Sequence, residues 1–327
     1  MLARHLNNIF DITSLKQEPT RDGFGHGLVD SGKSDERIIA LCADLSESTR
    51  TEWFQKEFPS RYIEVGVAEQ NLATIASGMA NYGKIPFIMS YAVFSPGRNN
   101  EQIRTTICIN KVPVKIIGCH SGVSVGPDGA THQALEDIGL MRMLPNMIVV
   151  VPCDSVEAYK ATTAIAHDDV MPSYLRLGRA STPVLTTEKT HFEIGKAQLF
   201  YEVEKSEVTI IACGAMVYHA LCAAKKLEGE IAVNVMNLAT IKPLDTESIL
   251  KEAEKSGAIV TVEEHQIAGG MGSAVAEFLA QTYTVPIEFI GVHDRFGQSG
   301  TPEELYKEYG LDATSIIQAV RKVVRRK

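Results

Sequence analysis

Short Val/Ile-rich apolar runs recur along the chain with helical patterns between them, and this alternation restricts the fold more than any other feature. In the first half the runs are Arg37–Cys42, Ile85–Met89, Val114–Cys119, Met147–Pro152 and Ser173–Leu177. They do not alternate apolar with polar, as expected of parallel strands covered on both faces. The stretches Ala68–Tyr82, Arg98–Cys108, Leu135–Met143 and Ser155–His167 carry helical spacing, so the order predicts a doubly wound α/β layer. The polar run Arg179–Thr190, containing Pro183, reads as a linker. A second unit follows, with strands at Val208–Cys213, Ala232–Met236, Ala258–Val262 and Ile287–Ile290. Its helices are predicted at Ala215–Leu227, Asp245–Ser256 and Met271–Gln281, and Thr301-Pro-Glu-Glu has the cap signature of another. A length of 327 residues fits two domains, each of about 150 residues. The expected organisation is an arm over 1–17, a first domain over 18–185 and a second over 193–327.

Charge and cysteine usage narrow the function classes. Lys plus Arg number 32 against 40 Asp plus Glu, a net charge of −8, which argues against nucleic acid as a partner. The basic run Arg321–Lys327 reads as a solvated last helical turn suited to the helix dipole. No apolar stretch approaches the roughly 20 residues of a membrane span, and the first residues lack a secretory apolar core. Six cysteines without a CxxC pair read as buried free thiols of a cytoplasmic protein, and no metal site is expected from them.

Two segments hold the candidate chemistry. Cys119-His120-Ser-Gly-Val-Ser-Val-Gly126-Pro-Asp128-Gly-Ala-Thr-His132-Gln begins where a strand ends, the place where open α/β sheets bind ligands. Its histidines and aspartate can exchange protons near neutral pH; a glycine-rich surface loop with capping residues is the other reading. The second is Gly66-Val-Ala-Glu69-Gln-Asn, where Glu69 heads a helix rich in small apolar residues. Such a carboxylate either caps the helix or sits in an apolar pocket with a raised pKa.

Together, Gly66-Val-Ala-Glu69-Gln-Asn, His120 and Gly126-Pro-Asp-Gly-Ala-Thr-His132-Gln resemble the pyrimidine-binding domain of transketolases, and the likeness runs on through Tyr174-Leu-Arg-Leu-Gly-Arg179 into that family's C-terminal domain. It implies thiamine diphosphate as cofactor. Glu69 would bond N1′ of the aminopyrimidine and favour the imino tautomer that deprotonates thiazolium C2. A carboxyl of raised pKa beside Val65, Val67 and Ala68 would suit that proton sharing. Phe94 would stack on the pyrimidine with Tyr91 beside it, and Asp44 would lie near the thiamine. Asp128 would contact sugar hydroxyls and His132 substrate oxygens. Arg179, Ser48, Arg21 and His120 would hold the substrate phosphate, for which a guanidinium fork is suited. The loop Gly269–Gly272 after Glu263-Glu264-His265 is expected to be structural, and His293-Asp-Arg-Phe-Gly to be a turn bonded to the linker.

No Gly-Asp-Gly occurs in the chain. In the family that motif opens the domain holding the diphosphate through Mg²⁺. The resemblance therefore implies a C-terminal subunit of a split transketolase, inactive alone, with a partner subunit supplying Mg²⁺ and the diphosphate site in an α2β2 assembly. The expected reaction is transfer of a two-carbon ketol unit between sugar phosphates in the cytoplasm. The alternatives are a 2-oxo-acid dehydrogenase beta subunit, a deoxyxylulose-phosphate synthase-like enzyme and a non-catalytic binding subunit.

Overall fold

The computed structural model describes residues 1–11 and 14–327. In the first half β1 (Gln17–Pro19) leads into α1 (Thr20–Ser34), β2 (Ile38–Cys42), α2 (Thr51–Glu57), β3 (Tyr62–Glu64), α3 (Glu69–Asn81) and β4 (Ile85–Tyr91). Next come α4 (Asn100–Gln102), which runs on as a π-helical turn over Ile103–Cys108, then β5 (Lys115–Cys119), α5 (Asp137–Arg142), β6 (Ile148–Val150), α6 (Ser155–Ala166), β7 (Ser173–Arg176) and β8 (Ser181–Pro183). The second half contains β9 (Gln198–Tyr201), β10 (Val208–Ala212), α7 (Met216–Lys226), β11 (Val233–Asn237), β12 (Thr240–Lys242), α8 (Thr246–Ser256), β13 (Ile259–Gln266), α9 (Met271–Thr282), β14 (Ile287–Val292), α10 (Pro302–Glu308) and α11 (Ala313–Val324).

Two sheets organise these elements. The first runs β12-β6-β7-β5-β4-β2-β3 and the second β14-β13-β10-β11-β9. All neighbours are parallel except β12 against β6 and β9 against β11. Every residue of β2, β5, β10 and β11 is buried, which is why these strands are mostly apolar and do not alternate with exposed polar residues. Short polar side chains start the helices between them. Asp154, Asp245 and Asp312 accept the third backbone N–H of α6, α8 and α11, and Thr301 with Glu304 forms a capping box on α10.

The two halves share a core. Ile39, Leu41, Leu72, Ile88 and Ile116 of the first pack in one cluster with Ile211, Met236, Leu238 and Met271 of the second. Strand β12 carries the second half's chain into the first half's sheet. The linker expected over 179–190 is not a loose tether. Residues Ser181–Pro183 pair with β1, and Leu185 and Thr186 are buried. Their amides donate to the Asp154 carboxylate at 2.8 and 2.6 Å. The N-terminal arm adds Ile9, fully buried, to the second half's core. Helix Arg98–Cys108 begins later than the sequence suggests, at Asn100, because Ala92–Asn99 is a run of turns. Helix Leu135–Met143 shortens to α5.

Two glycine- and turn-rich segments of the second half are held by internal hydrogen bonds. At the Gly269–Gly272 helix start, Glu263 accepts the amides of Met271 and Gly272 at 2.6 and 2.8 Å, so an internal carboxylate already fills that anion position. The His293 turn bonds Gln266, through the Asp294 amide at 3.0 Å, rather than the linker.

Candidate functional site

The carboxyl ends of β2, β3, β4, β5 and β7 turn out onto one edge of the first sheet, and the chemistry gathers there. After β2 the chain turns at Asp44, φ +57°, and after β3 at Gly66, φ +69°. One side chain clips both loops: Glu64 accepts the amides of Asp44 and Gly66 at 2.8 and 2.9 Å, and Tyr62 donates to its other oxygen. Glu69 then opens α3, whose Leu72, Ala73, Ala76 and Ala80 face the core; full burial of a leucine such as Leu72 contributes about 1.5–3 kcal/mol.

Glu69 is buried, yet it is not in an apolar pocket. Its carboxylate accepts a hydrogen bond from Arg98 Nη1 at 2.7 Å, and Asn99 donates to its backbone carbonyl at 2.9 Å. Of the apolar neighbours expected around it, Val67 is 71% exposed. The reason is the turn after β4, which folds Arg98 back onto the head of α3. Arg98 also lies over the Phe94 ring, 4.7 Å from its centroid.

Aromatic contacts continue from Phe94 inward. Tyr91, at the end of β4, is near-parallel to Phe94 at 6.0 Å and stacks on His120 at 3.9 Å and 21°. His132 presents an edge to both rings, at 5.5 Å from Phe94 and 6.0 Å from Tyr91. His120 follows β5 with φ +53°, a strained left-handed position for a histidine. Its Nε2 lies 3.2 Å from Arg21 Nη1, which also donates to the Ser48 carbonyl at 2.8 Å. Arginine only donates, so Nε2 accepts and Nδ1 carries the proton. Buried Nδ1 of His120 and Nε of Arg21 have no partner among the described residues. Burial, and then the charges of Arg21, Arg179, Arg50 and His132, push the His120 pKa down to about 3. The ring is therefore neutral beside three guanidinium groups, a field that favours an anion.

The loop 120–133 is held from both sides. Ser121 bonds Leu177, and Gln133 donates to the carbonyls of Val123, Gly126 and Gln298 at 3.0, 3.2 and 3.0 Å. Glu264 of the second half accepts the Ser124 amide at 2.6 Å. A Cβ on Gly122 would come within 2.3 Å of that carboxylate, so this close approach requires glycine. Arg179 donates to the Val125 carbonyl at 2.8 Å. Below the loop, buried Arg176 pairs with Asp137 at 2.7 Å and donates to the Glu264 carbonyl at 2.9 Å, while Tyr174 donates to Asp137 at 2.6 Å.

Phe94, Tyr91, His120, His132 and Arg21 thus form one chain of contacts that Arg98 extends to Glu69, with Ser48 joined through its backbone and Arg179 through the loop. Asp44 and Asp128 are exposed beside it and bring no side-chain bond to the cluster. Sequence reasoning missed Arg98 and Arg50. Arg98 was read as the first residue of the helix over Arg98–Cys108, whereas it lies in the turn before Asn100. Arg50 lies two residues beyond Ser48 and pairs with Asp22 at 2.6 Å. No group of three or more His, Cys, Asp or Glu among the described residues could hold a metal ion, and no described helix is long and apolar enough to cross a membrane.

The features stand in a two-sheet α/β chain: a buried glutamate at a helix head, aromatic rings beside it, and a histidine loop flanked by guanidinium groups. The profile of the transketolase pyrimidine-binding domain matches residues 16–184, and that of the transketolase C-terminal domain matches 195–316. A solved structure titled "Split gene transketolase, inactive beta4 tetramer" superposes with a TM-score of 0.87 at 44% identity, covering 94% of this chain and 99% of that one. The 6-deoxy-6-sulfo-D-fructose transketolase subunit SqwH of Clostridium sp. is 38% identical over 98% of this chain and 99% of its own. An apulose-4-phosphate transketolase subunit of Phocaeicola vulgatus is 36% identical over 94% and 97%. The chain belongs to the transketolase family. It carries that family's pyrimidine-binding and C-terminal domains.

Proposed function

We propose that this chain is the beta subunit of a thiamine-diphosphate-dependent transketolase, moving a two-carbon ketol unit from a ketose phosphate to an aldose phosphate. It would act in the cytoplasm with a separate subunit that holds the diphosphate and Mg²⁺, as an α2β2 assembly. Residues 18–185 would carry the reacting face and 193–327 would buttress it. The observation that carries the reading is the contact chain on one sheet edge from Glu69 through Arg98 to Phe94, Tyr91, His120 and Arg21.

The residues suit the cofactor. A buried carboxylate at a helix head fits a ring nitrogen that shares a proton, and the Phe94 face fits a flat heterocycle. Bound thiamine diphosphate supplies the electron sink for carbon–carbon bond cleavage and formation. Glu69 would hold or release the proton at N1′, and Phe94 with Tyr91 would fix the ring's tilt. Asp44 would line the thiamine side. His120, neutral with its proton on Nδ1, has an unmet donor for a substrate oxygen, and His132 at the ring edges can donate to another. Arg21, Ser48 and Arg179 would bind the phosphate, and Asp128 the sugar hydroxyls, from the exposed rim. SqwH is named for 6-deoxy-6-sulfo-D-fructose and the Phocaeicola subunit for apulose-4-phosphate; in this chain the choice of donor would be made at that rim.

Glu69→Gln tests the assignment in the assembled enzyme. The reading expects ketol transfer to fall by at least a hundredfold with subunit association unchanged. Activity within twofold of the parent would refute it and favour a non-catalytic role.

A further inference from the structure

Arg98 occupies both features that the proposed function gives to the aminopyrimidine. Its guanidinium donates to the Glu69 carboxylate at 2.7 Å and lies over the Phe94 face at 4.7 Å. A planar cation with an N–H on a carboxylate and its plane on an aromatic ring presents the same recognition chemistry as a protonated flat heterocycle. The Glu69 side chain is 1% exposed and that of Arg98 49%, so Arg98 is the lid over a carboxylate that is otherwise enclosed.

The lid is placed to move. Arg98 lies in the turn between β4 and α4, with half its side chain in solvent, so displacement needs no change in the packed core. The neighbouring turn is anchored independently. Asn99, fully buried, bonds the Glu69 carbonyl and Ser95 Oγ at 2.9 and 3.1 Å, and a Cβ on Gly97 would strike the Val93 carbonyl at 2.0 Å. The backbone is therefore fixed while the arginine side chain can leave.

We propose that Arg98 is an internal competitor for the pyrimidine position: it holds Glu69 in the cofactor-free protein and must swing off both Glu69 and Phe94 before thiamine diphosphate binds. This rests on the proposed function's assignment of Glu69 and Phe94 to the cofactor. It makes Arg98 a positioning residue, one that delays loading and keeps the Glu69 carboxyl aimed until the ring arrives.

The test measures cofactor binding rather than turnover. The complex of this chain with its diphosphate-binding subunit is stripped of cofactor, and thiamine diphosphate binding is followed by equilibrium dialysis and by stopped-flow quenching of intrinsic fluorescence, in the parent, Arg98→Met and Glu69→Gln. The proposal expects Arg98→Met to tighten the dissociation constant about tenfold, one decade being a difference of about 1.4 kcal/mol. It also expects the parent's association rate to level off at high cofactor, limited by lid opening, and the variant's to keep rising. Weaker binding by Arg98→Met, or an unchanged constant and rate law, would overturn the competitor role. Unchanged binding by Glu69→Gln, whatever Arg98→Met does, would instead overturn the assignment of the site on which it rests.

Discussion

Glu157 offers a test of the buried polar network that ties the halves together. It lies in the first turn of α6, fully enclosed, and accepts hydrogen bonds from the Cys153 amide and from Asn237 Nδ2, both at 2.7 Å. Burial, and then the nearby charge of Asp154, push its pKa from 4.5 up to about 7. A carboxyl raised in the folded state contributes its stability fully below its unfolded value and loses it as pH rises through the folded one. A shift of roughly 2.5 units, at about 1.36 kcal/mol per unit, gives an upper figure of about 3 kcal/mol lost between pH 4.5 and 7. Glu157→Gln removes that titration. Asn237 Oδ1 is buried and unpartnered, so a flip of its amide would accept from the new glutamine and keep the network satisfied. Urea denaturation of parent and variant at pH 5, 6, 7 and 8 should give a variant increasingly more stable than the parent as pH rises, by as much as about 3 kcal/mol. A stability difference that is flat or shrinks over this range would refute the reasoning.

The other predictions follow from the same interior. Histidine ring NMR should find His120 neutral, protonated on Nδ1, from pH 7 down to about 4.5, given a pKa pushed down to about 3. Because its folded pKa is lowered, the stability it holds above pH 6.5 is lost as pH falls, and His120→Asn should flatten the acid limb of a thermal-stability profile. Arg176→Met strands Asp137, 1% exposed, without its 2.7 Å partner, and should cost about 3–5 kcal/mol in denaturant titration. Gly118→Ala puts a Cβ 2.2 Å from Tyr174 Oη and should cost about 1–3 kcal/mol by the same assay.

Much of this architecture was legible in the sequence, and the failures have physical causes. Strands buried on both faces announce themselves as Val/Ile runs, so β2, β4, β5, β10 and β13 stood out. Strands β1, β8 and β12 are three residues each and hold Pro, Thr and Lys; their pairing is decided by tertiary contact rather than by composition. Glu69 and His120 were recognisable from motif and from position at strand ends. Arg98 was not, because it read as the exposed first residue of a helix, and only the turn over Ala92–Asn99 folds it onto Glu69. The Asp137–Tyr174–Arg176–Glu264 network joins residues far apart in sequence, and no local pattern marks such a set. The surroundings of Glu69 differ from the apolar pocket expected for a local reason, since Val67 faces solvent and the Arg98 guanidinium lies on the carboxylate.

The central claim is that this chain supplies only one side of a cofactor site. The direct measurement purifies the tagged chain from its host with whatever binds it, and assays ketol transfer with thiamine diphosphate and Mg²⁺ beside the recombinant chain alone. The account predicts a co-purifying subunit, activity that requires both chains, and loss of activity when thiamine diphosphate is withheld. Steady ketol transfer by the isolated chain, or a complex that turns over only 2-oxo acids, would contradict it.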